Sequence, residues 1–267
     1  MSATLDDVID ATLDPGAGRR TPPCTRAYVA DTIAFSDVDG PGNRFVVFLQ
    51  GCNFDCIACH NPQTIPGNAA AVEGHHPHHM TVDELLVQIR RAAPFIRGIT
   101  VSGGEATQQA PFVHTLCSAI KANPALHHLT CFVDSNGACA TAVWDDLEHV
   151  VDGVMVDLKC FDTDIHRTLT GQPNDRVLAS IRHLAGLGRL YEVRLLLVAG
   201  LNDDAALIRA TGQWLARVDP AMRVKVIGFR QHGTRPHDPP LQEPTPESLA
   251  AAAEILRSVA DLQVTVI

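Results

Sequence analysis

The chain has 267 residues, a hydrophobic content of 46% and a formal net charge of −9 at pH 7. This acidic balance argues against a nucleic-acid partner, because phosphate binding needs a concentrated basic surface. No apolar stretch approaches the ~18 residues of a membrane span. The acidic segment Met1–Asp7 lacks the basic and apolar regions of a secretory signal. We therefore expect a cytoplasmic protein with reduced thiols and no membrane partner.

The two ends of the chain differ from its middle in composition. Residues 1–22 are polar and run into Pro22 and Pro23, so we predict a disordered N-terminal extension there. No linker divides the remainder, and we predict a single domain over residues 23–267. Residues 231–246, called the proline-rich loop below, hold too many prolines for a regular element. A C-terminal helix and strand follow this loop.

Strand and helix patterns alternate from residue 44 onward. The apolar, β-branched run 44–50 predicts a strand that leads directly into the segment Gly51–Asn61, called the cysteine loop below. A helix is predicted over residues 81–93, where Thr81 and Glu84 form a capping box. Residues 98–102 predict a buried strand, and a helix follows through about Lys121.

The second half of the chain continues the same alternation. Strands are predicted over residues 129–133, 153–158, 191–198 and 222–227. Asp203 is predicted to cap a helix, whose shared apolar face consists of Leu207, Thr211, Trp214, Leu215 and Val218. The last helix is predicted over residues 246–258, with Thr245 as its N-cap.

Strands that alternate with helices predict an α/β fold with parallel strands. About six βα units are fewer than the eight of a closed barrel. Polar residues follow the carboxyl ends of several of these strands, and in a barrel those ends converge on one mouth. We therefore predict a partial, open TIM-like barrel rather than a wide doubly wound sheet.

Three cysteines of the cysteine loop, Cys52, Cys56 and Cys59, have the spacing C-x3-C-x2-C. A structural zinc site and an ordinary iron–sulfur cluster each use four protein ligands. Three thiolates on one loop therefore suggest a cubane cluster with one iron open to another ligand. A zinc site completed by His60 or by a distant residue stays an alternative.

A run of histidines, His75-His76-Pro77-His78-His79, stands before the first predicted helix. We interpret it as a solvated loop, because no cysteine or carboxylate pair accompanies it. Metal binding by this run remains an open alternative.

The residues that follow the strands could form one binding site. Gly103 and Gly104 would let a ligand approach the backbone, and Glu105 would accept from an ammonium group. The alternative for this triplet is a tight turn with a solvated acid.

Two further strand ends carry polar groups that each allow two interpretations. Asp134, Ser135 and Asn136 suit either a ribose or cation site or an Asx turn. Asp157 and Lys159 alternate about Leu158, so both could face the mouth, or they could form a partly buried ion pair.

The cysteine loop followed by Gly103-Gly104-Glu105 resembles the radical S-adenosylmethionine (SAM) superfamily. The motifs Ser36–Phe45, Asp134–Gly137 and Met155–Lys159 are similar to the activating enzymes of glycyl radical enzymes, the group of pyruvate formate-lyase activase. That resemblance covers about residues 28–232, the core of a radical SAM domain. Within the group, a further likeness to the YjjW-type subfamily rests on Pro94–Thr107, His128–Gly137 and Phe229–Gly233.

The resemblance implies an oxidoreductase of anaerobic metabolism. Cys52, Cys56 and Cys59 would hold one [4Fe-4S] cluster, whose open iron binds SAM. One electron would cleave SAM to methionine and a 5′-deoxyadenosyl radical, which removes a hydrogen atom from a backbone glycine of a partner enzyme. The implied partners are a glycyl radical enzyme and a flavodoxin- or ferredoxin-like electron donor.

The resemblance also implies roles for individual residues. The expected contacts with SAM are made by Gly103, Gly104, Glu105, Asp134, Ser135, Asn136, Asp157, Lys159 and Arg194. A monovalent cation beside SAM is a further expectation, at Asp134, Ser135, Met155 and Asp157.

The chain departs from the pattern at several positions. Ala58 stands where many members carry an aromatic residue, which puts the packing of the adenine in doubt. Many YjjW-type chains carry a ferredoxin-like insert, but residues 65–80 contain no cysteine, so one cluster per chain is expected. Either Arg230 or His232 would fill the position of a histidine at the end of the sixth strand.

Two other functions remain open on the sequence. One keeps the SAM chemistry but changes the target, to anaerobic ribonucleotide reductase activation or to a small molecule. The other is a non-catalytic zinc-binding protein.

Overall fold

The computed structural model describes residues 24–66 and 76–267. The predicted disorder of residues 1–22 and the first histidine of the run, His75, lie outside the described residues. No helix within the described ranges is both long enough and apolar enough to cross a lipid bilayer.

One sheet contains all the named strands of the described residues. They are β1 Arg26–Ser36, β2 Arg44–Leu49, β3 His78–Thr81, β4 Gly98–Gly103, β5 Thr130–Ser135, β6 Gly153–Asp157, β7 Leu190–Leu197, β8 Arg223–Gly228 and β9 Gln263–Val266. Their order across the sheet is β3-β1-β2-β4-β5-β6-β7-β8-β9. From β2 to β9 every neighbouring pair is parallel, whereas β1 is antiparallel to both β2 and β3.

Helices connect the parallel strands. They are α1 Val82–Ala92, α2 Ala110–Ala122, α3 Thr141–Leu147, α4 Thr163–Thr170, α5 Asp175–Gly186, α6 Ala205–Val218 and α7 Pro246–Arg257. The parallel strands follow one another in chain order, so each βα unit steps in the same direction, as in a barrel. The sheet runs from β3 to β9 and stays open, which confirms the predicted α/β fold and partial barrel.

The core lies between the sheet and these helices. The inner parallel strands bury most of their side chains, as both faces of such strands are covered. The clearest cases are β2 and β4, whereas three of the four residues of the edge strand β9 are exposed. Capping residues fix the helix starts: Thr81 and Glu84 form the predicted capping box of α1, and Asp162 accepts from two backbone N–H groups at the start of α4.

A buried arginine ties together the amino ends of three strands. Arg44 on β2 is fully buried, and its guanidinium donates to the Thr100 hydroxyl at 2.6 Å and to the Thr130 hydroxyl and the Pro41 carbonyl at 3.1 Å. The guanidinium also lies 4.5 Å from the ring centre of Phe132. Burial lowers the pKa of Arg44 to about 10, and its hydrogen bonds offset the cost of burying the charge.

Strand register sets the level of the polar residues at the opposite end of the sheet. Leu49, which leads into the cysteine loop, pairs with Gly103 of β4. Asp134 of β5 pairs with Met155 of β6, and Asp157 of β6 pairs with Arg194 of β7. The predicted site residues are therefore brought to one edge by the parallel pairing itself.

Two sequence-based predictions are wrong in detail. His78 and His79 belong to strand β3 and not to a loop, although both are exposed as expected of a solvated segment. His79 stacks on Tyr28 with ring centres 4.8 Å apart. The N-cap of α6 is Asp204 and not Asp203. The carboxylate of Asp203 instead accepts from the backbone N–H of Gly200. The first error arose because β3 is a strand only through its pairing with β1, and the second because two adjacent aspartates are distinguished only by turn geometry.

Candidate active site

The three cysteines of the cysteine loop line one cavity of about 240 Å³ at the carboxyl ends of the strands. Most of the residues predicted from the other strand ends line the same cavity, namely Gly103, Gly104, Asp134, Ser135, Asn136, Asp157, Lys159 and Arg194. A larger cavity of about 610 Å³ is lined by residues of β1, β3 and α1 and contains none of the predicted site residues. The smaller cavity is therefore the candidate active site.

Backbone hydrogen bonds hold the cysteine loop in place. Asp55 and Ile57 donate their N–H groups to the carbonyls of Thr170 and Leu169, both at 3.0 Å. These carbonyls belong to the last turn of α4, where an α-helix leaves its acceptors unpaired. The loop thus completes the hydrogen bonding of α4, and α4 in turn fixes the backbone between the cysteines.

Burial affects the protonation of two of the site thiols, those of Cys52 and Cys56. It raises the pKa of Cys52 to about 12 and that of Cys56 to about 11, and the Lys159 ammonium opposes the shift at Cys56. Both thiols therefore carry protons at neutral pH until a metal displaces them, because thiolates are the ligating form.

The donor set suits a cluster rather than one ion. Among the described residues, no group of three or more His, Cys, Asp or Glu side chains is arranged to hold a single metal ion. A cubane makes a different demand, because its thiolates bind separate irons. Three half-buried thiols around one cavity, as in Cys52, Cys56 and Cys59, fit that demand.

Gly103 at the end of β4 and Gly104 directly after it allow the close approach of protein backbone, not only of a ligand. A Cβ on Gly103, whose φ is +121°, would lie 2.2 Å from the backbone N and O of Leu49. A Cβ on Gly104 would lie 2.3 Å from the carbonyl oxygen of Gly51 and 2.7 Å from that of Thr64. The glycines are needed because the start of the cysteine loop packs directly on the end of β4.

Glu105 lies behind the cavity wall. Its carboxylate is almost completely buried and accepts from the Thr107 N–H and hydroxyl at 2.9 and 2.6 Å, from the Ser135 hydroxyl at 2.7 Å and from the Asn136 N–H at 2.7 Å. Burial raises the pKa of Glu105, and these donors act in the opposite direction. Glu105 thus joins the ends of β4 and β5, and a direct contact with SAM stays a prediction.

Arg194 links several groups of the cavity wall. Its guanidinium donates to Asp134 at 3.0 Å, to Glu192 at 2.9 Å and to the sulfur of Met155 at 2.9 Å. Burial alone would lower the pKa of Arg194, but the carboxylates of Asp134 and Asp157 raise it above its ordinary value.

Asp157 and Lys159 form an ion pair at the cavity edge, with Nζ and Oδ2 2.6 Å apart. Burial works against both charges, yet their mutual attraction lowers the pKa of Asp157 and raises that of Lys159. Burial instead raises the pKa of Asp134, with partial opposition from Arg194. The cavity is therefore lined by two cationic side chains, Lys159 and Arg194, and by two carboxylates, Asp134 and Asp157. This set suits a ligand that carries both an ammonium and a carboxylate group.

The four positions predicted for a monovalent cation already have protein partners. Asp134 and Met155 bind Arg194, and Asp157 binds Lys159. Ser135 donates to Glu105 and accepts from the N–H of Gly137 at 2.9 Å. The cation site stays a prediction.

Some residues of the site were missed from the sequence. The cavity is also lined by Phe54, Asn61, Ser102, Leu196 and Ile227, which were not considered as site residues, and by Ala58 and His60, which were considered only for the packing of the adenine and as a zinc ligand. Ser102 directly precedes Gly103 and donates to Asp134 at 3.1 Å, so its place at a strand end was the available signal. Arg230 and His232 are not among the described residues that line the cavity.

Comparisons with known proteins identify the family of this chain. The profile of the Radical SAM superfamily matches residues 46–209. The pyruvate formate-lyase-activating enzyme of Staphylococcus epidermidis is 34% identical over 218 residues, which cover 78% of this chain and 83% of that relative.

Two solved structures have similar folds. A domain of the pyruvate-formate lyase-activating enzyme from Bacteroides vulgatus has a TM-score of 0.53 and 23% identity, covering 64% of this chain and 98% of that one. A radical SAM methyltransferase from Sphaerobacter thermophilus has a TM-score of 0.61 and 19% identity, covering 84% and 66%. The chain therefore belongs to the radical SAM superfamily and, within it, to the family of the pyruvate formate-lyase-activating enzymes.

Proposed function

We propose that this protein activates a glycyl radical enzyme by radical SAM chemistry. The observation that carries the proposal is that the three cysteines and the Asp134, Lys159 and Arg194 groups line one cavity. Family membership supports the same chemistry and removes the zinc-binding alternative.

The residues of the site divide the work of binding. Cys52, Cys56 and Cys59 would hold a [4Fe-4S] cluster, which when bound supplies the electron that cleaves SAM to methionine and a 5′-deoxyadenosyl radical. Lys159 and Arg194 would neutralise the carboxylate of SAM. The protein's part is to orient these groups and to exclude water, while the cofactors supply the reactivity.

The relatives are named pyruvate formate-lyase-activating enzymes, so by name each acts on another enzyme. The substrate proposed here is a backbone glycine of such a partner enzyme. A flavodoxin- or ferredoxin-like protein of the cytoplasm is the proposed electron donor. Within the described residues, the cysteines outside the site are Cys24, Cys117, Cys131, Cys139 and Cys160. They are dispersed along the chain, so we propose that the electron passes directly from the donor to the single cluster.

The proposal is tested by anaerobic reconstitution followed by two assays. About four irons per chain are expected, and the reduced protein should convert SAM to 5′-deoxyadenosine and methionine. Cys52→Ala, Cys56→Ala and Cys59→Ala should each abolish this turnover, whereas Cys24→Ala, at an exposed cysteine, serves as the matched control and should keep it.

The target is tested by adding a glycyl radical enzyme from the same cell. A glycine-centred doublet in the electron paramagnetic resonance spectrum is expected. Turnover of SAM without that doublet for every such partner would contradict the activase function, and unchanged turnover in any of the three site variants would contradict the cluster assignment.

A further inference from the structure

The proline-rich loop contacts the cysteine loop through one arginine. Arg235 donates from Nη2 to Oδ1 of Asp55 at 2.5 Å and to the backbone oxygen of Cys56 at 3.0 Å. A second contact lies nearby, where Nε2 of His60 is 2.9 Å from the carbonyl oxygen of Arg230. A segment about 180 residues further along the chain is thus joined to the backbone between two of the site cysteines.

The acceptor of Arg235 belongs to the turn that connects the second and third cysteines. The Cys59 N–H donates to the Cys56 carbonyl at 3.3 Å, and Arg235 adds a shorter hydrogen bond to the same oxygen. On the other flank, α4 binds the N–H groups of Asp55 and Ile57. The loop backbone is therefore held from two sides, by α4 and by the proline-rich loop.

The charges of this contact matter for an anionic cluster. Asp55 places a carboxylate directly beside Cys56 in the chain, and Arg235 pairs with it. The two side chains are 68% and 43% exposed, respectively. An ion pair at this exposure contributes little to the overall free energy of unfolding. We therefore expect it to affect the local conformation of the cysteine loop instead.

We propose that Arg235 is a positioning residue for the cluster. It holds the Cys56–Cys59 turn in its ligating shape and keeps the Asp55 charge paired beside the cluster. This inference rests on the cluster assignment, but its test needs neither SAM turnover nor a partner protein. Its failure is therefore distinguishable from a failure of the proposed activase function.

The test compares the reconstituted full-length protein with Arg235→Ala, Arg235→Lys and Asp55→Asn. Iron release to a ferrous chelator and the reduction potential of the cluster are measured for each, without SAM. In Arg235→Ala, iron release should be about tenfold faster, as for other residues that orient metal ligands, and the potential should be more negative because an unpaired carboxylate disfavours an added electron.

Asp55→Asn should shift the potential in the opposite direction, since it leaves the Arg235 cation unpaired. Arg235→Lys keeps the charge and should restore the potential of the wild-type protein. Arg257→Ala removes another exposed arginine–glutamate pair, that of Arg257 and Glu254 at 2.6 Å on α7, and should change neither quantity.

Iron release and potential in Arg235→Ala that match those of the wild type would overturn the proposal. If Arg235→Ala does not yield folded protein, Asp55→Asn decides. A positive shift of its potential supports the proposal, and no shift or a negative one overturns it.

Discussion

The guanidinium of Arg194 on β7 reaches the carboxylate of Asp134 on β5 at 3.0 Å, across the intervening strand β6. The same guanidinium contacts Met155 on β6. One side chain therefore spans three consecutive strands at the level of the cavity, where both the arginine and the aspartate are exposed to a ligand.

Arg194→Lys should weaken SAM binding by about tenfold or more, because a lysine ammonium lacks the planar fork that engages several acceptors at once. Binding is measured by calorimetric titration of the reconstituted protein with SAM under anaerobic conditions. Arg257→Lys, on the exposed face of α7, is the matched control. An unchanged dissociation constant in Arg194→Lys would exclude a role for its fork in the ligand site.

Glu105→Gln should destabilise the fold by about 1–3 kcal/mol, the cost of a buried unsatisfied polar group. The amide nitrogen of the glutamine must face either the Thr107 N–H or the Asn136 N–H, and each of these is a donor. Urea unfolding measures the change. Glu254→Gln, at an exposed position of α7, should leave the midpoint nearly unchanged, and equal midpoints for the two variants would contradict the buried network.

Gly104→Ala should prevent the cysteine loop from packing on β4, because the new methyl would collide with the backbone oxygens of Gly51 and Thr64. Backbone atoms cannot yield as a flexible side chain can, so we expect a loss of iron after reconstitution as well as lower stability. Gly186→Ala is the matched control. No atom lies within 4 Å of that Cβ position in α5, and alanine favours a helix by up to about 1 kcal/mol. Normal iron content in Gly104→Ala would show that the contact is dispensable.

His166 should make the protein less stable as the pH falls below about 6.5, its unperturbed pKa. The ring is completely buried, its Nδ1 is 2.7 Å from the Gln172 carbonyl, and its Nε2 has no hydrogen-bond partner among the described residues. Burial lowers the pKa of His166, so on acidification the unfolded chain binds a proton before the folded protein does. The free energy of unfolding then decreases as the pH decreases, until the pH is below the folded-state pKa.

The test of this dependence is urea unfolding of the full-length protein, prepared without iron, between about pH 7 and pH 5. His166→Gln should flatten the decline, whatever its effect at neutral pH. His149→Gln, at an exposed histidine, should keep the wild-type slope. The same slope in all three proteins would show that His166 does not contribute.

The sequence predicted most of the parallel strands and their polar ends, since β4, β5 and β6 are short apolar runs with Gly104, Asn136 and Lys159 directly or almost directly after them. Strand β1 was missed as an element, although Tyr28, Val29 and Ile33 carry β-branched or aromatic side chains. Its antiparallel pairing with β2, across the connection 37–43, and with the more distant β3 determines that it is a strand. The helices α3, α4 and α5 were also missed. With 7 and 8 residues, α3 and α4 are too short for a long apolar period and depend on packing against their neighbours, whereas Val177, Ile181 and Leu184 of α5 do recur at helical spacing.

The site was predicted in its location but not in its internal contacts. Residues at strand ends can be placed at one edge from the fold alone, as Asp134 and Asp157 were. The role of Gly104 required knowing that Gly51 packs on it, and the role of Arg235 required knowing where a proline-rich connection turns. Neither contact is encoded in a short motif, since both join segments far apart in the chain.

The backbone of the cysteine loop is already hydrogen-bonded to the last turn of α4 and to the residues Thr64 and Ile65. These hydrogen bonds use backbone groups only, so none of them has to break when a cysteine side chain binds iron. A substitution at one of the three cysteines should therefore remove a ligand of the cluster and leave the contacts that hold the loop in place.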